Sequence, residues 1–343
     1  MKRLLNTLYV TTQGAYLSRE QDAIVIRVDG ETKLRVPVLN LSGIVCFGNV
    51  ACSSPLMALC AERNVTMSFL SENGRFYARV HGPVSGNVLL RREQYRRADS
   101  LEVAAEIARA VVVAKIANCR TILLRAARER PGAPGADEMA DAARHLAQLL
   151  GELESPQPLD SVRGREGEAA RRYFGVFDQL IVAQKGDFFF RERSRRPPLD
   201  NMNALLSFLY TLLAHDIASA LESVGLDPAV GYLHRDRPGR PGLALDMMEE
   251  FRAFLADRLA LSLVNLQQVK GKGFKRTETG AVLMDDATRK EVITAYQKRK
   301  QDEIQHPFLG EKVAIGLLPH VQALLMARYL RNDLDGYPPF LYR

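Results

Sequence analysis

The chain has 343 residues, 47% hydrophobic and 25% charged, the balance of a soluble globular protein long enough for two domains with cores of their own. A net charge of +7 and a pI near 9.3 favour a polyanionic partner. Four cysteines, Cys46, Cys52, Cys60 and Cys119, show neither a CxxC pair nor a zinc-site spacing, which predicts reduced thiols in a cytoplasm, and neither a membrane span nor a signal peptide is indicated.

Up to about residue 80 the pattern is strand-like. Segments 7–10, 15–19, 23–28 and 33–38 alternate or are β-branched, and Asp29-Gly30 supplies a hairpin turn between two of them. Segments 43–47, 66–70 and 75–80 continue the theme. One helix interrupts it at 53–63, with Ser53 or Ser54 as N-cap and Leu56, Leu59 and Cys60 as its buried side. This predicts a small β-rich domain over 1–88. Residues 89–99 read as a basic linker, since Arg91, Arg92, Arg96 and Arg97 fall within seven residues around Tyr95. Such a run is either a solvated face or a phosphate contact.

From residue 100 to 343 the periodicity is helical. A long helix is predicted over 101–130, ended by PGAPGAD, and a second over 138–153. The third, over 163–181, carries Glu166 outside an apolar stripe of Ala169, Ala170, Tyr173, Phe174, Phe177 and Leu180. Gly164 and Gly167 flank that acid and let a backbone or a ligand come close. Next, Arg191, Arg193, Arg195 and Arg196 stand beside Phe188, Phe189 and Phe190. Either this loop grips single or frayed strands, or the phenylalanines are core and only the arginines are exposed. A strongly helical stretch follows over 203–222.

Residues 227–252 then set His234 ahead of a Pro/Gly/Arg loop that runs into a helix with Asp246, Glu249 and Glu250. Acids at i, i+3 and i+4 share a helical face, while Met247, Phe251, Phe254 and Leu255 form the docking stripe. The acids are either solvated or hold a cation. Lys270, Lys272, Lys275 and Arg276, threaded by glycines, read as a flexible basic loop, and a helical pair over 286–303 and 310–330 closes the chain.

The runs GREGEAARRYF (164–174), PPLDNMNALLSFLY (197–210), GYLH (231–234) and DMMEEFR (246–252), with the tail at 322–340, resemble the CRISPR-associated integrase, the universal adaptation protein. The overall pattern is most similar to its type I-C branch. The resemblance implies an α+β multidomain fold: a small N-terminal β-sheet domain forming a homodimer, then a larger all-α C-terminal domain holding a divalent metal. It implies Glu166, His234 and Glu249 as catalytic metal ligands, with Asp246 supporting them. Two carboxylates and an imidazole without thiolate suit Mg²⁺ or Mn²⁺. The other histidines, His81, His145, His215, His306 and His320, lie in no matching context. The implied reaction is insertion of spacer DNA into a CRISPR array by attack of a 3′-hydroxyl on repeat phosphodiesters. Candidate contacts to double-stranded DNA are Arg163, Arg165, Arg191, Arg193, Arg195, Arg235, Arg237, Lys270, Lys272, Lys275 and Arg276, and the implied partner is the small second adaptation protein. The alternatives are a metal-dependent nuclease of branched DNA in repair and a non-catalytic DNA-binding scaffold.

Overall fold

The computed structural model describes residues 7–41, 43–63, 65–72, 76–80, 82, 87–132 and 134–342; His81 lies outside them. They group into an N-terminal unit, up to residue 82 together with 289–302, and a C-terminal unit, 87–288 with 303–342.

The N-terminal unit carries β1 (Thr7–Val10), β2 (Tyr16–Glu20), β3 (Ala23–Val28), β4 (Glu31–Pro37), β5 (Gly43–Phe47), β6 (Ala51–Cys52), α1 (Ser54–Glu62), β7 (Thr66–Leu70) and β8 (Phe76–Val80). Two four-stranded sheets result, ordered β1-β5-β7-β8 and β4-β3-β2-β6. Asp29 and Gly30 both take positive φ, 52° and 81°, the geometry of the tight turn that closes β3 onto β4. Leu17, Ile24, Ile44, Leu56, Cys60 and Met67 are in one apolar core. Ser53 occupies the N-cap of α1 without a side-chain capping bond. All four cysteines are unpaired, with Cys46, Cys60 and Cys119 buried.

The C-terminal unit begins where a linker was expected. Residues 89–99 belong to a helix, α2 (Val88–Asp99), which buries Leu90 and Gln94. α3 (Leu101–Glu129) follows, capped by Ser100 accepting from the Val103 amide. Then come α4 (Ala136–Glu152), α5 (Leu159–Gly175), α6 (Asn201–Ser223), α7 (Gly242–Phe251), a π-helical stretch Arg252–Asp257, and α8 (Arg258–Asn265). α3 packs against α4, α5 and α7, and α6 packs against α7 and α10 (Leu318–Leu330). By length and hydropathy α6 could cross a membrane, yet Leu205, Leu206, Leu209, Leu212 and Leu213 are buried in this unit.

The expected all-helical domain includes two short hairpins. The basic segment at 270–276 contributes β9 (Phe274–Arg276), paired with β10 (Val282–Met284), rather than a free loop. Its glycines serve packing, since a Cβ on Gly273 would collide with the Thr288 side chain. α9 (Asp286–Gln301) follows, and from residue 289 onward it groups with the N-terminal unit. β11 (Glu303–Gln305) pairs with β12 (Lys312–Ala314), so the last helix starts at Leu318 instead of near 310.

Candidate metal centre and nucleic-acid interface

The chain at 227–234 is held open towards α7 by two glycines. A Cβ on Gly231 would stand 2.6 Å from Asp246 Oδ2, and one on Gly242 would stand 2.7 Å from the Ala229 carbonyl. Because neither has one, the backbone falls onto the Asp246 carboxylate. The amides of Tyr232, Leu233 and His234 donate to it at 2.6, 2.9 and 2.9 Å. Its Oδ1 also lies 2.7 Å from His234 Nδ1. Asp246 is thus saturated as an acceptor and orients the imidazole, leaving Nε2 as the atom available to a ligand.

α2 braces the same loop. Gln94 donates to the carbonyls of Asp227 and Val230 at 2.7 and 2.9 Å and accepts from the Asp227 amide at 2.9 Å. Tyr95 donates to Asp227 at 2.8 Å. From α5, Arg163 Nε donates to the Leu233 carbonyl at 2.7 Å.

Glu166 projects from α5 and Glu249 from α7, and both meet Lys115 of α3. The Lys115 ammonium hydrogen-bonds to Glu166 and lies 2.8 Å from Glu249 Oε2. Arg252 reaches Glu249 Oε1 at 3.1 Å. Burial would raise the Glu249 carboxyl, but Arg252, Lys115 and His234 outweigh it and hold it at about 2. Burial would lower Lys115, and Glu249 and Glu166 reverse that effect. Glu249 Oε2 is buried with the Lys115 ammonium as its close partner. Gly164 and Gly167 have open space where a Cβ would stand, so they leave the flank of Glu166 clear rather than admitting a close backbone.

The third acid diverges from the other two. Glu250 accepts from Gln322 at 3.0 Å, from Tyr337 at 2.7 Å and from the Phe340 amide at 2.7 Å, and burial pushes its carboxyl up to about 7. None of the three acids is solvated; all are 2% exposed or less. Asp257, which ends the π-helical stretch, accepts from Tyr173 at 3.1 Å and Tyr210 at 2.6 Å, and burial pushes it up to about 6. Tyr173 lies two turns beyond Glu166 on α5 and Tyr210 lies on α6, so these bonds tie α5 and α6 to the π-helical stretch that follows α7.

The basic candidates divide. Arg191, Arg195, Arg235, Arg237, Lys270, Lys272, Lys275 and Arg276 are exposed. Arg193 is a structural residue: it donates to Asn203 at 2.6 Å and Ser207 at 3.0 Å, and its guanidinium sits 5.2 Å from the Tyr210 ring centre. Phe188 and Phe190 are core. Arg165 is paired with Glu152 at 2.7 Å, and Arg235 with Asp160 at 3.2 Å.

The profile of the CRISPR associated protein Cas1 family matches residues 8–298. This chain belongs to that family. It is 55% identical, over the full length of both chains, to "CRISPR-associated endonuclease Cas1 1" of Chlorobaculum tepidum. The fold is similar to that of a Cas1 protein from Thermotoga maritima, with a TM-score of 0.82 at 23% identity, covering 98% of this chain and 100% of that one. It is also similar to a casposase bound to integration product, with a TM-score of 0.84 at 22% identity, covering 98% and 94%. The chain is accordingly an endonuclease and integrase of CRISPR adaptation, built as a β-sheet region followed by a helical domain, and the family's chemistry depends on a divalent metal.

The residues present fit such an ion by donor type: the carboxylates of Glu166 and Glu249 and the imidazole nitrogen that Asp246 leaves free on His234. Among the described residues no three acidic, histidine or cysteine side chains are gathered into a ready cage. Lys115 and Arg252 were missed in the sequence. The signal for Lys115 was its place in the buried stripe of α3, four residues from both Val111 and Cys119.

Proposed function

We propose that Glu166, His234 and Glu249 ligate Mg²⁺ or Mn²⁺ at this centre, with Asp246 holding His234. The observation that carries this reading is that Asp246 orients the His234 imidazole while Glu166 and Glu249, from two separate helices, converge on one ammonium. The ion would polarise the scissile phosphate and stabilise its developing charge. The chain's own groups do the rest. Asp246 fixes the imidazole, and Arg252 keeps Glu249 ionised. Asp257 ties Tyr173 of α5 and Tyr210 of α6 to the π-helical stretch that continues α7.

The substrates under this reading are double-stranded DNA on both sides: a prespacer with free 3′-hydroxyls and the repeat of a CRISPR array. A prespacer 3′-oxygen attacks a repeat phosphorus, one phosphodiester forms, and another opens to release a repeat 3′-hydroxyl. Exposed Arg191, Arg195, Arg235, Arg237, Lys270, Lys272, Lys275 and Arg276 hold phosphates without reading bases. The protein works in the cytoplasm as a homodimer joined through its N-terminal unit, where Tyr16, Leu34, Phe76 and Tyr77 are exposed, and with the small second adaptation protein.

The test incubates the protein and that partner with a short duplex and a supercoiled plasmid bearing the array. Joining at repeat borders that disappears with EDTA and with His234→Ala is expected. Joining that persists in His234→Ala refutes the ligand assignment.

A further inference from the structure

Lys115 lies in the middle of α3, 7% exposed at its side chain, and among the described residues it is the one cation that pairs with both candidate metal-binding carboxylates. Its two anions are themselves shielded, at 26% and 2% exposure. With Arg252 on Glu249, two carboxylates face two cations and the cluster is electrically neutral. A divalent ion that takes both carboxylates cannot share them with an ammonium already in contact with each. Like charges at such separations, away from bulk water, repel strongly.

We propose that Lys115 is the resident counter-cation of the metal site. It draws the Glu166 and Glu249 carboxylates towards one point, and it leaves the bridge when a divalent ion binds, so metal affinity is set by competition with this side chain. The inference rests on the metal-site reading above. It differs from a purely structural ion pair in the sign of one effect. Removing one partner of a buried pair destabilises the fold in either case. Only competition makes the metal bind more tightly once the lysine charge is gone.

The experiment uses the full chain stripped with EDTA and no DNA. Mn²⁺ binding is titrated by the loss of free-ion EPR signal, and thermal unfolding is followed with and without Mn²⁺. Lys115→Met is expected to lower the metal-free melting temperature, to tighten Mn²⁺ binding at least tenfold, and to give a larger Mn²⁺-induced rise than wild type. Lys115→Arg, which retains the charge, is expected to bind Mn²⁺ no more tightly than wild type. Mn²⁺ binding that is unchanged or weaker in Lys115→Met overturns the proposal while leaving the metal site standing. Wild type that binds no Mn²⁺ at millimolar concentration overturns both.

Should Lys115→Met fail to fold, wild type supplies the readout. Acylation of Lys115 by an amine reagent, followed by mass spectrometry, is expected to rise several-fold on saturation with Mg²⁺. Protection that is the same with and without bound Mg²⁺ overturns the proposal.

Discussion

Glu249 and Glu250 are consecutive on α7, equally shut off from water, and opposite in character. Glu249 faces Lys115 and Arg252 and is held ionised, at about 2. Glu250 faces an amide side chain, a phenol and a backbone amide, all neutral donors, and is pushed up to about 7. The first environment keeps a full negative charge ready at a buried point. The second uses a carboxyl to tie the C-terminal segment under α7, where Phe340 stacks on Phe251 at 5.5 Å and Asn118 bonds to the carbonyls of both Glu250 and Phe340. The difference teaches that burial alone does not mark a reactive acid; the charge of its partners does.

Breaking the cationic side has the largest expected effect. Glu249→Gln should lower strand joining by about a thousandfold or more, as several kcal/mol of metal-derived charge stabilisation are lost. A variant joining within a few-fold of wild type would remove Glu249 from the site. On the neutral side, Glu250→Leu strands the Tyr337 hydroxyl and the Phe340 amide at roughly 1 kcal/mol or more each, whereas Gln322 keeps Tyr337 and the Pro338 carbonyl as acceptors. It should therefore lower unfolding free energy by about 2 kcal/mol, read in a denaturant titration, while the folded fraction still joins DNA.

Asp257 extends the neutral class and gives a pH test. Its carboxyl is pushed from 3.8 to about 6, so the folded state holds that proton where the unfolded chain has lost it. Stability from this group is therefore complete below about 3.8 and declines as pH rises through 6. Two pKa units correspond to about 3 kcal/mol at most. Subtracting the stability profile of Asp257→Asn from that of wild type should leave this falling limb; a difference that is flat or rises with pH would show that the carboxyl is ionised when folded. The smallest effect separates two arginines of one loop. Arg195→Ala should weaken DNA binding and reduce the salt slope by about one, whereas Arg193→Ala should lower the melting temperature through its bonds to Asn203 and Ser207 with the slope unchanged in the folded protein.

Much of this was legible before any coordinates. Period-two alternation and the Asp29-Gly30 turn located β3 and β4, and a continuous helical stripe located α3. His234 and Asp246 stood out because Gly-x-x-His and the acidic helix are short-range patterns, and Glu166 because it falls outside the apolar stripe of its helix between two glycines. What stayed hidden depends on contacts distant in sequence. Four arginines masked the buried side of α2, so Gln94, 0% exposed, read as part of a linker. Spacing put Glu249 and Glu250 on one face but could not say that the tail at 337–340 would claim only one of them. Nothing local marks Lys115, because its two anions lie 51 and 134 positions away.

The central claim is that Glu249 belongs to a metal site and Glu250 to the scaffold. Titrating Mn²⁺ into EDTA-stripped Glu249→Gln and Glu250→Gln, each shown to be folded by circular dichroism, tests it directly. The account predicts that Glu249→Gln loses Mn²⁺ binding while Glu250→Gln binds as wild type does. Binding retained in Glu249→Gln, or lost in folded Glu250→Gln, would contradict it.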